Sequence, residues 1–301
     1  MSEKLIVLVT GAATGFGALT ARTLAKSGHQ VYAGILPADD GNNAFYEETR
    51  EFARVNQVHL VPVQLDVTDD ASIQVAVDTI ISEKGSIDGL IHNAGLLAYG
   101  PTESFLPEQF TKLLEVNLIG PQRVNRIVMP HMRRKGRGVL VFVSSASVYG
   151  SSAPFAGAYF ASKAAVDSLA QVYQLELSPF GIETSIILPG FFPTGTNIFA
   201  AALRPGDTQR AEELWSPPSP LAGWDAVLQE SGRKLLSPEA TPQAVADAID
   251  RVINAEHGKR PFRAIAEYDG GQTEISAGVH DLVRDRYLTR FGFGELLKPK
   301  N

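Results

Sequence analysis

Leu5-Ile6-Val7-Leu8-Val9-Thr10-Gly11-Ala12-Ala13-Thr14-Gly15-Phe16-Gly17 is the stretch that decides the fold. The unbroken apolar run Leu5–Val9 is what a strand covered on both faces of a parallel sheet requires. Glycines follow at 11, 15 and 17, and from Gly15 the pattern turns helical to about Ser27, where Gly28 ends it. A strand that passes through such a turn into a helix offers backbone amides and a positive helix end to a pyrophosphate. The stretch therefore predicts the first unit of a dinucleotide-binding sheet. An ordinary strand-to-helix turn would read the same in isolation, so the neighbouring segments have to decide.

Outward from it the alternation continues. Gln30–Ile35 is a second predicted strand, 42–56 a polar helix, and Val58–Leu65 a third strand with Asp66 at its end. Thr68 is expected to cap a helix whose apolar positions Ile73, Val77, Ile80 and Ile81 recur at helical spacing. Gly89–His92 is a fourth strand, and a long helix is predicted over 107–135, with Pro121 and Pro130 as its kinks or breaks. Val139–Ser144, Ala158–Ser178 and Ile182–Leu188 read as strand, helix and strand. Strands alternating with helices predict an α/β fold, a doubly wound and mostly parallel sheet of about seven strands flanked by helices. Ligands of such sheets bind beyond the carboxyl ends of the strands.

After Gly190 the pattern changes. Residues 193–238 are proline-rich, include Ser216-Pro217-Pro218-Ser219-Pro220, and lack strand periodicity. A long irregular insertion of this kind is usually a functional lid or a disordered segment, and a lid is the expectation here. Thr241 is read as the cap of a helix to Ala255 with Pro242 in its first turn, and Arg263–Glu267 as the last strand. The expected organisation is one dinucleotide-binding catalytic domain over 1–301, with a C-terminal substrate lid over about 191–238.

Composition narrows the function. Apolar residues make up 44% and charged residues 20% of the 301, and the net charge is −6, which argues against a nucleic-acid binder. The absence of cysteine excludes disulfides, thiolate metal sites and a cysteine nucleophile, and no metal site is expected. The first apolar run is too short for a signal peptide, and no later run is long enough to span a bilayer. The expectation is a soluble, cytoplasmic protein with no membrane partner.

The glycine spacing TGxxxGxG, carried by Thr10, Gly11, Gly15 and Gly17, resembles the short-chain dehydrogenase/reductase family in its single-domain branch. The extended branch of epimerases and dehydratases has TGxxGxxG and would need glycine where this chain has Thr14. The resemblance runs from about Leu5 to Thr194, with its motifs in the family's order. It implies a Rossmann fold and a bound NAD or NADP. The turn residues Thr10, Gly11, Thr14, Gly15, Phe16 and Gly17 would cradle the phosphates, and Asp66 with Val67 would meet the adenine. Asn93, Ala94 and Gly95 match the family's NNAG segment, with His92 in place of its first asparagine; His92 is read as a structural substitute rather than a base. Pro189, Gly190 and Thr194 match PGxxxT, the segment that grips the nicotinamide carboxamide. Asn117 matches the helix asparagine that kinks its helix and holds a water of the proton relay.

Tyr159-Phe160-Ala161-Ser162-Lys163 matches the family's YxxxK. Positions i and i+4 share a helix face, so both side chains reach one ligand. A free phenol has a pKa of about 10, and a neighbouring ammonium and an oxidised nicotinamide both favour phenolate, which makes Tyr159 a usable general acid/base. Lys163 would also hydrogen-bond the nicotinamide ribose. The partner serine is less fixed. Thirteen residues before Tyr159, where most family members place it, stands Ala146; Ser145 lies fourteen before and Ser147 twelve. One extra residue in the loop Val148–Phe155 would restore Ser145, which is favoured, with Ser147 the alternative.

The tip of the second strand, Ile35-Leu36, carries neither the acid usual with NAD nor the arginine usual with NADP, and Asp39 and Asp40 come late. The missing arginine tips the expectation slightly to NAD. Phe192, Phe199, Leu203, Leu214 and Trp215 suit a lipophilic ketone or secondary alcohol, or else simply pack the lid on the domain. The alternative is a non-catalytic NAD(P) sensor on the same fold. The family also implies a homodimer or homotetramer formed through the helices near 107–135 and 158–178.

Overall fold

The computed structural model describes residues 3–37, 43–150, 152–192, 194–235, 240–267 and 272–300. Asp39 and Asp40 lie outside the described residues. Strands β1 (Ile6–Val9), β2 (Gln30–Ile35), β3 (Leu60–Gln64), β4 (Gly89–His92), β5 (Gly138–Val143), β6 (Ile182–Pro189) and β7 (Arg263–Ala266) form one sheet in the order β3-β2-β1-β4-β5-β6-β7. Every neighbouring pair is parallel. The chain runs outward from β1 to β3, then returns to place β4 on the other side of β1. That reversal opens a crevice at the carboxyl ends of β1 and β4.

The helices are α1 (Gly15–Lys26), α2 (Ala44–Asn56), α3 (Asp70–Lys84), α4 (Pro107–Leu114), α5 (Gly120–Lys135), α6 (Gly157–Leu177), α7 (Thr208–Trp215), α8 (Trp224–Leu235), α9 (Gln243–Asn254) and α10 (Gln272–Arg290). Side chains alternate across each strand, so Val7, Val9 and Ile91 face Leu24 of α1 and Ile249 of α9. Leu8, Leu90 and Phe142 face α3, α5 and α6 on the opposite side. Two covered faces explain why the strands read as unbroken apolar runs.

The structure departs from the sequence reading at five places. Asp69, not Thr68, caps α3, accepting from the Ala71 amide at 2.9 Å. The Thr68 hydroxyl is taken by the Asp66 carboxylate at 2.7 Å. The long helix is interrupted by a π turn at Glu115–Ile119 rather than by a proline. Pro121 sits in the first turn of α5, where an amide hydrogen is not required, and Pro130 lies within α5. The segment expected as an irregular lid contains two helices, α7, capped by Asp207, and α8. The helix after it starts at Gln243, with Pro242 rather than Thr241 at its cap position. Beyond β7 stands α10, for which no element was expected.

Candidate active site

The glycine turn is braced against the end of β4. Thr10 Oγ1 accepts from the amides of Asn93 and Ala94, both at 3.1 Å. Asn93 Nδ2 donates back to the carbonyls of Thr10 and Gly11 at 3.0 Å. Gly11 and Gly15 have φ of +65° and +55°, a region that favours glycine. A Cβ on Gly17 would fall 2.2 Å from the Gly11 carbonyl oxygen. The turn is thus a close-packed cradle that side chains would fill. Thr14, exposed at the cap position of α1, makes no side-chain cap bond, so the first amides of the helix face outward. Both features fit a pyrophosphate. Asp66 ends β3 with Oδ1 held by the amide and hydroxyl of Thr68, and Val67 packs beneath Gly120.

A cleft of about 460 Å³ opens beyond the strand ends. Its polar wall holds Asn93, Ser145, Tyr159 and Lys163, and its apolar wall includes Leu97, Tyr99, Ile198, Phe199 and Leu228. Gly95, Pro189, Gly190 and Phe16 also line it. Thr194 is exposed and outside the lining, whereas Thr196, two residues on, packs over Gly15. The segment after β6 therefore folds back across the glycine turn, helped by an edge-on Phe16–Phe192 contact at 5.5 Å.

Burial pushes the Tyr159 phenol up to about 12, opposed by a hydrogen bond with Ser145. Ser145 Oγ accepts from Ser147 Oγ at 2.9 Å and from the Ser147 amide at 3.2 Å. Ser145 therefore touches the phenol and Ser147 stands behind Ser145. In the loop before α6, Phe155 takes a left-handed φ of +72°. Lys163 is buried, donates to the Val143 carbonyl at 2.9 Å, and lies 5.8 Å from the Tyr159 ring centre. Burial holds its ammonium down to about 8.

Asn117 sits in the π turn. Its Oδ1 accepts from the Leu96 amide at 2.8 Å, and its Nδ2 donates to the Leu96 carbonyl and to Ser162 Oγ. Ser162 in turn donates to the Tyr159 carbonyl at 2.7 Å. A Cβ on Gly95 would lie 3.2 Å from Asn117 Oδ1 and 3.7 Å from Lys163 Nζ, so glycine keeps the gap between them open. His92 turns away from the cleft into the core and bonds Asn125.

Sequence reasoning missed the support beneath this wall. Asp167, fully buried and one turn beyond Lys163, accepts from Ser144 Oγ at 3.0 Å and the Tyr149 hydroxyl at 2.9 Å. Arg263 on β7 reaches the same carboxylate at 3.2 Å, and its Nε bonds Asp281 of α10 at 2.9 Å. The Lys163–Asp167 spacing was visible as i, i+4; the Arg263 partner, far along the chain, was not.

The sequence model of the short chain dehydrogenase family matches residues 5–202. A 3-ketodihydrosphingosine reductase of Bacteroides thetaiotaomicron is 35% identical over 194 residues, 64% of this chain and 66% of its own length. An uncharacterized oxidoreductase of Bacillus subtilis is 32% identical over 268 residues, 85% of this chain and 87% of its own. Among solved structures, a short-chain dehydrogenase from Streptomyces avermitilis superposes with a TM-score of 0.71 at 28% identity over 97% of both chains. With the parallel seven-stranded sheet and the glycine turn already in place, these matches settle the family: the chain belongs to the short-chain dehydrogenases, NAD(P)-linked oxidoreductases that act on CH–OH or C=O groups.

Proposed function

We propose that this protein interconverts a lipophilic ketone and its secondary alcohol, with Tyr159 as the general acid/base. The observation that carries the proposal is the Tyr159 phenol, hydrogen-bonded to Ser145 at the wall of an apolar cleft, with Lys163 one helical turn on. A bound nicotinamide dinucleotide supplies or accepts the hydride and, when oxidised, brings a positive charge that favours phenolate. Burial opposes the expected lowering and leaves Tyr159 protonated at neutral pH, so in the reductive direction it holds the proton that a developing alkoxide takes up, and a bound oxidised nicotinamide would favour the phenolate needed for the reverse. Ser145 binds the alkoxide oxygen and stabilises its growing charge. Lys163 Nζ, held by the Val143 carbonyl, keeps a cationic group behind the phenol at neutral pH. Asn117 fixes Leu96 and, through Ser162, the backbone at Tyr159.

The glycine turn, Asp66, Asn93 and the Pro189–Gly190 segment would hold the dinucleotide. NAD is preferred slightly over NADP, because Ile35 and Leu36 at the tip of β2 offer no cation to a 2′-phosphate. The apolar wall and the likeness to a 3-ketodihydrosphingosine reductase support a lipophilic substrate. A cytoplasmic setting is consistent with a chain that has no cysteine. No described helix is long and apolar enough to cross a membrane.

The test is a panel of lipophilic ketones followed at the reduced-nicotinamide absorbance, with Tyr159→Phe beside the parent. The variant should lose about 10²–10⁴-fold in turnover while keeping its cofactor affinity. Retained turnover removes Tyr159 from its role. Tight cofactor binding with no turnover on any ketone or alcohol turns the reading to a sensor. Ser145→Ala should cost about 10²–10³-fold and Ser147→Ala less than about tenfold; the reverse order would move the role to Ser147.

A further inference from the structure

Tyr159, Lys163 and Asp167 stand one turn apart on a single face of α6, and each meets one of three consecutive residues at the end of β5. Lys163 Nζ donates to the Val143 carbonyl at 2.9 Å, Ser144 Oγ donates to Asp167 Oδ2 at 3.0 Å, and Ser145 hydrogen-bonds the Tyr159 phenol. The backbone at Ser145 is extended, so neighbouring side chains point to opposite sides of it, Ser144 into the core and Ser145 to the cleft. Asp167 is fully buried, yet it accepts from four donors. Besides Ser144 these are the Tyr149 hydroxyl at 2.9 Å, Gln171 Nε2 at 2.9 Å and Arg263 Nη1 at 3.2 Å. The Arg263 guanidinium is itself buried, lies over the Tyr149 ring at 4.6 Å, and is held on its other edge by Asp281. Only a carboxylate accepts so many bonds, and only a cation beside it makes its burial tolerable. Strand β7 and helix α10, which bring Arg263 and Asp281, lie beyond residues 5–202, the part that matches the family.

We propose that Asp167 is a positioning residue for the reaction: anchored by Arg263, it pins the end of β5 to α6 through Ser144 and so keeps Ser145 in reach of Tyr159. The inference rests on the reading of Tyr159 as the acid/base. Lys163 holds the strand end at one carbonyl, that of Val143, which fixes how near β5 lies but leaves the chain free to swivel about that point. Ser144 supplies a second tie one residue on, and ties at two consecutive residues fix the direction of the third. Ser147 donates to Ser145 Oγ but does not hold the strand to α6. Gln171 donates to Asp167 from α6 itself, so it joins nothing across the wall. The clamp matters because a misplacement of about 1 Å between reacting groups can cost about 10²-fold in rate.

Ser144→Ala removes the tie and leaves Asp167 its other donors, so the fold should survive with its circular dichroism unchanged. With a ketone that the parent reduces, kcat should fall about tenfold while KM and NADH affinity stay within about twofold. In alcohol oxidation the rate should rise at a higher pH than in the parent, because the Ser145 bond opposes the effect of burial on the Tyr159 phenol and is loosened. Lys163 and Glu267, the charged residues among those that line the cleft, are untouched. Ser144→Thr, which keeps the hydroxyl, should restore both the rate and the profile. Gln171→Ala, which removes a donor of Asp167 without loosening β5, should match the parent. An unchanged kcat and pH profile in Ser144→Ala overturns the inference. So does an equal loss in Gln171→Ala, which would make the network a matter of stability alone. A parent with no turnover on any ketone or alcohol overturns the reading of Tyr159 and this inference with it, so the two failures are distinct.

Discussion

Acid should destabilise this fold through His92, and the effect can be sized. The imidazole lies in the core at the end of β4, its ring centre 4.7 Å from that of Phe142. Its Nε2 meets Asn125 Oδ1 at 2.7 Å. That acceptor keeps the single proton of the neutral ring on Nε2 and leaves Nδ1 without a partner among the described residues. Protonation would place a second N–H on Nδ1, facing apolar side chains. Burial therefore holds the pKa down to about 4, outweighing the bond to Asn125. A folded-state pKa below the unfolded value of 6.5 means that the stabilisation is complete above that pH and is lost as pH falls towards the folded pKa. At pH 5 the unfolded ring is almost fully protonated and the folded one is not, a loss of about 2 kcal/mol, approaching about 3 kcal/mol near pH 4. Urea unfolding of the parent and of His92→Asn at pH 7 and pH 5 isolates this contribution, since the other histidines are common to both. The parent should lose about 2 kcal/mol more than the variant over that interval. Equal losses, or a His92 proton resonance that titrates near 6.5, would refute the reasoning.

Gly17→Ala should weaken NADH binding, read by fluorescence titration, and cost about 1–3 kcal/mol of stability, because its Cβ would press on the Gly11 carbonyl that shapes the turn. Affinity and unfolding midpoint both unchanged would show that the turn is looser than drawn. Arg263→Met should cost about 3–5 kcal/mol in urea unfolding, since it leaves the Asp167 carboxylate buried without its cation. A loss below about 1 kcal/mol would mean that Ser144, Tyr149 and Gln171 satisfy Asp167 alone.

What could be read in advance was whatever chemistry acts over a few residues. The glycines at 11 and 15 answer a local demand for positive φ, and the strands answer burial on two faces, so both show in the chain. Tyr159 and Lys163 show because one helical turn joins them. Ser145 was ambiguous because spacing counts residues and not path. The loop before α6 turns at Phe155 with a φ of +72°, which a phenylalanine does not announce. The helices α7 and α8 were hidden by the prolines between them, and α10 by the direction of its apolar residues. A helix whose stripe faces outward gives the eye no core to assign it to.

The least legible part joins the chemistry to the surface. Ser144 precedes the serine that touches Tyr159, and Asp167 follows Lys163 by one turn; both end on one buried carboxylate. Arg263 brings that carboxylate its positive charge from β7, 96 residues away in the chain. Asp281 on α10 holds the other edge of the same guanidinium. The backbone of Tyr149, which closes the network, accepts from Ser276, also on α10. A buried carboxylate is tolerated only while its donors are in place. The strand end that carries Ser145 and the helix that carries Lys163 therefore rest on groups whose own positions are set by α10, which makes α10 part of the support of the polar wall of the cleft.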